Sequence, residues 1–185
     1  SNEFLVEAVE GCRESVESMV DVVQDYDVSK LQELIWGLSY HDFYTYDHSI
    51  NVSMYCIAIY KAMFPEAPRQ EIVMAGLGGL LHDLGKLKIP TTIINNPGDL
   101  SEEEFQQIKM HPDYGKQLLD EQVTGGKCEC EGVDFDIIAR VVHEHHENFN
   151  GTGYPRKLMG EQIHLMARIT AVADFFDAIT TKRSY

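Results

Sequence analysis

The sequence predicts an all-α protein, folded as a helical bundle. Apolar residues recur at helical spacing along most of its 185 residues, whereas the strict alternation of a half-buried strand is almost absent. An apolar content of 44% is ordinary for a globular domain. No apolar run reaches the roughly 18 residues of a membrane-spanning helix. The length suits one domain, assigned to residues 41–185, and a short N-terminal extension over residues 1–40.

The extension is expected to begin with an amphipathic helix over residues 3–25. Its apolar residues are spaced alternately by four and three, as in a heptad repeat: Leu5, Val9, Cys12, Val16, Met19 and Val23. Two interpretations stay open. The helix packs on its own domain, or it transmits a signal or forms a homodimer with a second copy. A short helix follows, with Leu31, Leu34, Ile35 and Leu38 on its apolar face.

The next two predicted helices are apolar and end at helix-breaking residues. One runs from about residue 47 to residue 63, just before Pro65. The other covers residues 70–84, and Gly85 is its expected C-cap. We expect residues 88–99 to form a loop.

Local start signals place the remaining helices. Ser101 and Glu104 form a capping box, which predicts a helix that begins there and ends near Met110. Pro112 predicts a break or kink before a helix over residues 113–121. Further helices are expected over residues 134–147 and 161–181, on either side of the tight turn GTGYP.

The net charge of −15 argues against binding of long nucleic acid through a basic face. It does not argue against a small phosphate ligand, because bound divalent metals would make a site locally positive. The extension and the domain carry no visible signal peptide, and we expect no contact with a membrane.

Four cysteines are compatible with a reduced, cytoplasmic protein. Cys56 lies in an apolar helix and is expected to be a buried thiol. Cys128 and Cys130 form a CxC in a glycine-rich loop, where a structural zinc site would usually have CxxC pairs.

Five histidines and two aspartates form the candidate metal site. They are His48, His82, Asp83, His111, His145, His146 and Asp174. Imidazole and carboxylate bind first-row metals without thiolate. Asp83 is placed on the last turn of the apolar helix over residues 70–84, where a carboxylate is costly to bury unless a cation compensates it, and its two oxygens could bridge two ions. A set this rich predicts more than one metal and therefore metal-assisted hydrolysis.

Neighbouring polar residues suggest supporting roles. Lys86 lies about one turn after Asp83, where it could bind a phosphate oxygen or protonate a leaving group. The alternative is a lysine that only complements a helix dipole. Glu147 is expected to orient a ligand ring. Asp174 is preferred over Asp177 as a ligand because its neighbours are small. Three histidines are placed outside the site: His41, His143 and His164.

Three strings carry a family resemblance: HDLGK from His82, HHENFNGTGYP from His145 and VADFFDAITT from Val172. From about Asp42 to Tyr185 the chain resembles the HD-GYP domain, a branch of the HD-domain metal phosphohydrolases. The resemblance implies an HD-domain-like bundle of α-helices that holds two or three metal ions, commonly iron or manganese. It also implies hydrolysis of cyclic di-GMP to the linear dinucleotide pGpG or to GMP.

The resemblance also implies residue roles. Its metal ligands fall on the same seven residues, with Asp83 bridging two ions. Lys86 would lie near the phosphate, and Tyr154 and Arg183 would contact the substrate. Members with a third metal carry an acid where this chain has Tyr44, so two ions are expected. In the family, further helices follow the string that contains Arg183, and we expect them to be absent from this chain.

Two further departures and two alternative functions accompany the resemblance. Asn150 replaces the usual Asp before the glycine of GTGYP, and Arg183 stands in KRSY where the family has DRPY. The favoured function is a cyclic di-GMP phosphodiesterase that uses a metal-bridging hydroxide. One alternative is a catalytically weak signalling module that binds the nucleotide, or a protein partner through the GYP loop. Another is a mononucleotide phosphohydrolase, against which the complete GYP string argues.

Overall fold

The computed structural model describes residues 43–124 and 133–181 together with Gly37, and this part of the chain is helical. Its α-helices are α1 (Phe43–Met63), α2 (Arg69–Leu81), α3 (Thr91–Ile94), α4 (Glu102–Ile108), α5 (His111–Thr124), α6 (Phe135–Glu144) and α7 (Leu165–Thr180). Two 3₁₀ helices cover Leu84–Lys88 and Gly160–Gln162. The described residues contain no strand, only an isolated bridge between Asn150 and Met159. The all-α prediction is confirmed.

Helix α2 lies at the centre of the bundle, with α1, α6 and α7 packed around it. Residues 73–79 of α2 are all buried. Glycines permit this close packing: a Cβ on Gly78 would lie 2.9 Å from Val141 Cγ1, and one on Gly79 would lie 2.9 Å from Cys56 Sγ. Because α2 is enclosed from Val73 to its end, the residues that follow it emerge inside the bundle.

Gly85 allows a close contact between backbones. The C-cap of α2 is His82, and Gly85 lies within the 3₁₀ helix that follows, so the predicted C-cap role is wrong. A Cβ on Gly85 would overlap the His111 carbonyl, and one on the facing Gly115 would lie 3.2 Å from the Gly85 nitrogen. The 3₁₀ helix can therefore pack directly on α5, which brings His111 next to the end of α2.

Several helix boundaries differ from those predicted. Helix α1 begins at Phe43 rather than near residue 47, and the predicted loop over residues 88–99 contains α3. Pro112 lies in the first turn of α5, where backbone N–H groups have no partner within the helix. Its lack of an N–H therefore costs no hydrogen bond, and the helix begins there instead of breaking. The capping box of Ser101 and Glu104 is confirmed.

Some predictions lie outside the described residues. These are the helix over residues 3–25 and its homodimer, the loop with Cys128 and Cys130, the surroundings of His41, the side chain of Tyr44, and Arg183. The division at residue 40 also stays a prediction. Cys56 is fully buried, as expected. Among the described helices, none combines the length and apolar character that crossing a bilayer requires.

Candidate metal centre

The seven predicted ligands lie together inside the bundle. His48 lies on α1, His82 and Asp83 follow α2, His111 begins α5, His145 and His146 follow α6, and Asp174 lies on α7. The two adjacent pairs occur just where a helix ends. The chain leaves α-helical geometry there: Asp83, for example, has φ −95° and ψ 9°. Neighbouring side chains can thus face one site, which consecutive positions within a helix cannot do.

Asp83 is the centre of the arrangement. Its Oδ1 lies 3.3 Å from His111 Nε2, while its Oδ2 lies 3.3 Å from His82 Nε2 and 3.9 Å from His48 Nε2. Donor atoms within 4.8 Å of one another form two groups that share this carboxylate. One group is Asp83, His111, His145 and His146, and the other is His48, His82 and Asp83. Asp174 adjoins the second group, with Oδ1 3.1 Å from His48 Nε2.

Hydrogen bonds fix the orientation of four rings. The Nδ1 atoms of His82, His111 and His145 lie 2.7, 2.7 and 2.8 Å from the backbone carbonyl three residues earlier. A carbonyl only accepts, so each Nδ1 donates a hydrogen and each Nε2 keeps a lone pair. His48 Nδ1 is held in the same way by Asp177 Oδ2, at 2.7 Å. The rings of His82, His111 and His145 therefore present Nε2 as a ligand atom, and in His48 a cation would take the place of the proton between Nε2 and Asp174 Oδ1.

This arrangement fits bound cations. The Nε2 atoms of His111 and His145 lie 3.2 Å apart, and both rings already donate through Nδ1. Two lone pairs that face each other repel, unless a cation lies between them. His82 Nε2 is buried and has no hydrogen-bond partner. Imidazole nitrogens and carboxylate oxygens in this number are the donor set of divalent first-row metals.

Burial keeps the imidazoles of one group neutral. It lowers the pKa of His111 to about 3 and that of His146 to about 4, and it lowers the pKa of His145 as well. A histidine binds a metal only through a deprotonated nitrogen. These three rings are therefore in the ligand form at neutral pH.

Among the remaining ligands, the pKa of Asp83 is lowered and the pKa of His48 is raised. Burial alone would raise the pKa of Asp83, but the Lys86 ammonium and His82 hold it well below its usual value. Burial alone would lower the pKa of His48, but its hydrogen bond to Asp174 and the charge of Asp83 raise it. The centre thus combines an ionised carboxylate with a ring that favours positive charge.

Asp177 contributes a role that the sequence prediction missed. Its side chain is fully buried and accepts hydrogen bonds from His48 Nδ1 at 2.7 Å, from the Asn51 amide at 3.0 Å and from the Thr181 hydroxyl at 3.0 Å. It holds a ligand ring in place without reaching the donor groups. The available signal was a second acid on the apolar α7, one turn after Asp174.

Glu147 does not orient a ligand ring, so that prediction is wrong. Its buried carboxylate accepts from the backbone N–H of Arg156 at 2.6 Å and of Leu158 at 3.0 Å. Both lie just after the GYP turn, so Glu147 fixes that loop. His143 faces away from the centre and pairs with Asp113, with Nε2 2.9 Å from Oδ1.

The centre opens onto a groove of about 890 Å³. His145, His146 and Asp174 line it together with the GYP loop and α7. The Tyr154 ring stacks on His146, with centroids 4.8 Å apart and planes 22° apart. Burial raises the pKa of Tyr154, so its phenol stays neutral. A ligand in the groove would meet both the ligand atoms and this ring.

Lys86 lies at the edge of the centre. Its Nζ is 2.6 Å from Asp83 Oδ2, and its side chain is 24% exposed. It is the only predicted substrate-contacting cation within the described residues, because Arg183 lies outside them.

This fold and this cluster of ligands coincide with a known family. The family model described as HD domain matches residues 42–185. The chain therefore belongs to the HD domain family, within its HD-GYP branch.

Curated relatives agree with this assignment. The chain is 42% identical to a cyclic di-GMP phosphodiesterase of Pseudomonas aeruginosa over 144 aligned residues, which cover 78% of this chain and 32% of the relative. It is 36% identical to a 3′3′-cGAMP-specific phosphodiesterase of Vibrio cholerae over 143 aligned residues, which cover 77% of this chain and 28% of the relative. It is 39% identical to a cyclic di-GMP phosphodiesterase response regulator of Xanthomonas campestris over 116 aligned residues, which cover 63% of this chain and 29% of the relative. The matched region thus spans about a third or less of each relative's length.

Proposed function

We propose that this chain is a metal-dependent phosphodiesterase that hydrolyses cyclic di-GMP to pGpG, GMP or both. The observation that carries the proposal is the pair of ligand groups that share Asp83 at the base of a groove. Two ions held side by side are the usual arrangement for attack on a phosphodiester. The names of the relatives support a cyclic dinucleotide as substrate.

Two divalent ions, iron or manganese, suit the donor atoms. His111, His145 and His146 would hold one ion, and His48, His82 and Asp174 the other, with Asp83 between them. Such ions supply Lewis acidity and activation of water. An anomalous-scattering map should show two strong peaks about 4 Å apart. A third peak of equal height in the cluster would contradict the count of two.

The protein's own groups position and neutralise the phosphate. Lys86 Nζ lies beside Asp83, so a phosphate that approaches the centre comes within reach of the ammonium. A positioned ammonium can neutralise charge on phosphate oxygens or protonate the leaving oxygen. Tyr154 forms an adjacent wall, where its neutral hydroxyl can donate to the substrate. Arg183 is proposed as a further phosphate contact by resemblance alone.

The direct test is turnover by protein loaded with iron or manganese without oxygen. Cyclic di-GMP should be consumed, and chromatography should show pGpG or GMP. Bis(p-nitrophenyl) phosphate, which has no base, reports separately on the phosphodiesterase chemistry. Binding of cyclic di-GMP without any product would instead support the signalling-module alternative. Loss of hydrolysis in Asp83→Ala would tie the activity to this centre.

A further inference from the structure

A second cationic feature lies in the groove apart from the ligand cluster. Arg168 on α7 lines the groove, and its guanidinium carbon lies 5.8 Å from the Phe149 ring centroid. Its Nε is buried without a hydrogen-bond partner. A buried donor left unpaired carries an uncompensated desolvation cost, so a ligand that accepts from it would be favoured.

Arg168 differs from three cations that do not line the groove, whereas Lys109, which also lines it, likewise contacts aromatic rings. Lys86 pairs with Asp83, Lys116 with Asp120 and Arg140 with Glu144. Within the described ranges the Arg168 side chain has neither a hydrogen bond nor an ion pair, and its contact is with an aromatic ring. Its charge is therefore available to a ligand in the groove.

The position of Arg168 suits a part of the substrate other than the reacting phosphate. It lies six residues before Asp174, which is about 9 Å along the helix axis. The Phe149 ring beside it is 62% exposed and also lines the groove. An exposed aromatic ring is a stacking surface for a nucleobase. The guanidinium lies over this ring, so a base that stacks on the exposed part of the ring would present its edge to the guanidinium.

We propose that Phe149 and Arg168 form a subsite for one guanine base, in which Arg168 determines specificity; this rests on the proposed function. Guanine presents two acceptors, N7 and O6, whereas adenine presents one acceptor and one donor. A guanidinium only donates, so it matches guanine and leaves the adenine amino group without an acceptor. The subsite should therefore select against cyclic di-AMP.

The test is a change of specificity in Arg168→Gln, measured as kcat/KM for cyclic di-GMP and for cyclic di-AMP. A glutamine amide both donates and accepts, which is the pattern that pairs with adenine. We expect kcat/KM for cyclic di-GMP to fall about tenfold, and the preference for guanine to shrink by at least as much. Arg168→Lys keeps the charge without the planar fork, so it should also lose discrimination.

Matched controls separate this effect from loss of charge or of the metal centre. Lys116→Gln removes one positive charge from an exposed position on α5 and should change neither substrate's kcat/KM. Arg168→Gln should keep its metal content and its hydrolysis of bis(p-nitrophenyl) phosphate. Phe149→Leu should weaken both dinucleotides equally, because stacking is tolerant of base identity.

Two outcomes would overturn the guanine subsite while the proposed function stands. One is unchanged kinetics in Arg168→Gln, and the other is an equal loss for both dinucleotides, which indicates a phosphate contact. Where wild-type protein cleaves bis(p-nitrophenyl) phosphate but no dinucleotide, the proposed function fails. In that case, the affinities of wild type and Arg168→Gln for the two dinucleotides are measured by calorimetry. If both proteins show the same preference between the dinucleotides, the guanine subsite is overturned.

Discussion

The two halves of the metal centre are held in different ways. In the half formed by His111, His145 and His146, burial lowers every imidazole pKa, and two of the rings donate to backbone carbonyls. In the other half, His48 donates to the Asp177 carboxylate and lies 3.1 Å from Asp174, and its pKa is raised. The first half depends on main-chain geometry. In the second half, His82 also donates to a carbonyl, that of Gly79, but His48 depends on acidic side chains.

This difference predicts where each half is vulnerable. A carbonyl three residues before a histidine is fixed by the end of the helix, so point mutations cannot remove it. The carboxylate that orients His48 comes from α7, which is 129 residues away in sequence, and a single substitution can remove it. The two halves should therefore respond differently to changes outside their ligand sets, while changes at the shared Asp83 should affect both.

The largest effect is expected for Asp83→Ala. Because Asp83 directs one oxygen toward each group of ligands, its loss should release both metals and abolish hydrolysis of every phosphodiester. Metal content per chain, measured by mass spectrometry after gel filtration, checks this. If the variant keeps two ions, Asp83 does not bridge the two halves.

Lys86→Ala should lower turnover about a hundredfold, in the range of a lost general acid or phosphate-stabilising charge. A protonated lysine cannot bind a metal, so the metal content should not change. Lys88→Ala, in the same 3₁₀ helix, is the matched control and should retain full turnover. Unchanged kinetics in Lys86→Ala would return this lysine to a helix-end role.

Asp177→Asn should weaken one ion and leave the other in place. Replacement of the carboxylate that orients a ligand ring typically costs 10- to 100-fold in metal affinity, so we expect about that loss for the ion at His48. Competition with a chelator should resolve a weak and a tight ion per chain. Asp113→Asn changes a carboxylate that holds His143 outside the centre and should leave both affinities unchanged. Equal weakening of both ions would show that the halves are not independent.

The sequence predicted the ligand types but not their supports. Adjacent pairs such as His82-Asp83 were recognisable because a carboxylate next to an apolar helix needs compensation. The role of Asp177 was not recognisable, because it depends on how α7 packs against α1. The sequence predicts a C-cap at Gly85, since a glycine after an apolar helix commonly is one, whereas only the packing on α5 shows that it permits a backbone contact. Features that depend on neighbouring residues can be predicted from the sequence, whereas contacts between helices that are distant in sequence cannot.

The smallest effect is expected for His143→Gln. This variant tests whether the first histidine of the string HEHH is a metal ligand in addition to the last two. His143 lies within α6 and pairs with Asp113, whose side chain is 42% exposed, whereas His145 lies after the helix end and faces the centre. A partly exposed pair of this kind contributes at most about 1 kcal/mol. We therefore expect His143→Gln to keep both metals and full turnover, with a small loss of stability in urea unfolding. His145→Gln should lose the ion of its half, because an amide is a poor substitute for an imidazole nitrogen on a first-row metal. Equal metal loss in the two variants would place His143 in the centre and contradict the orientation that its bond to Asp113 gives it.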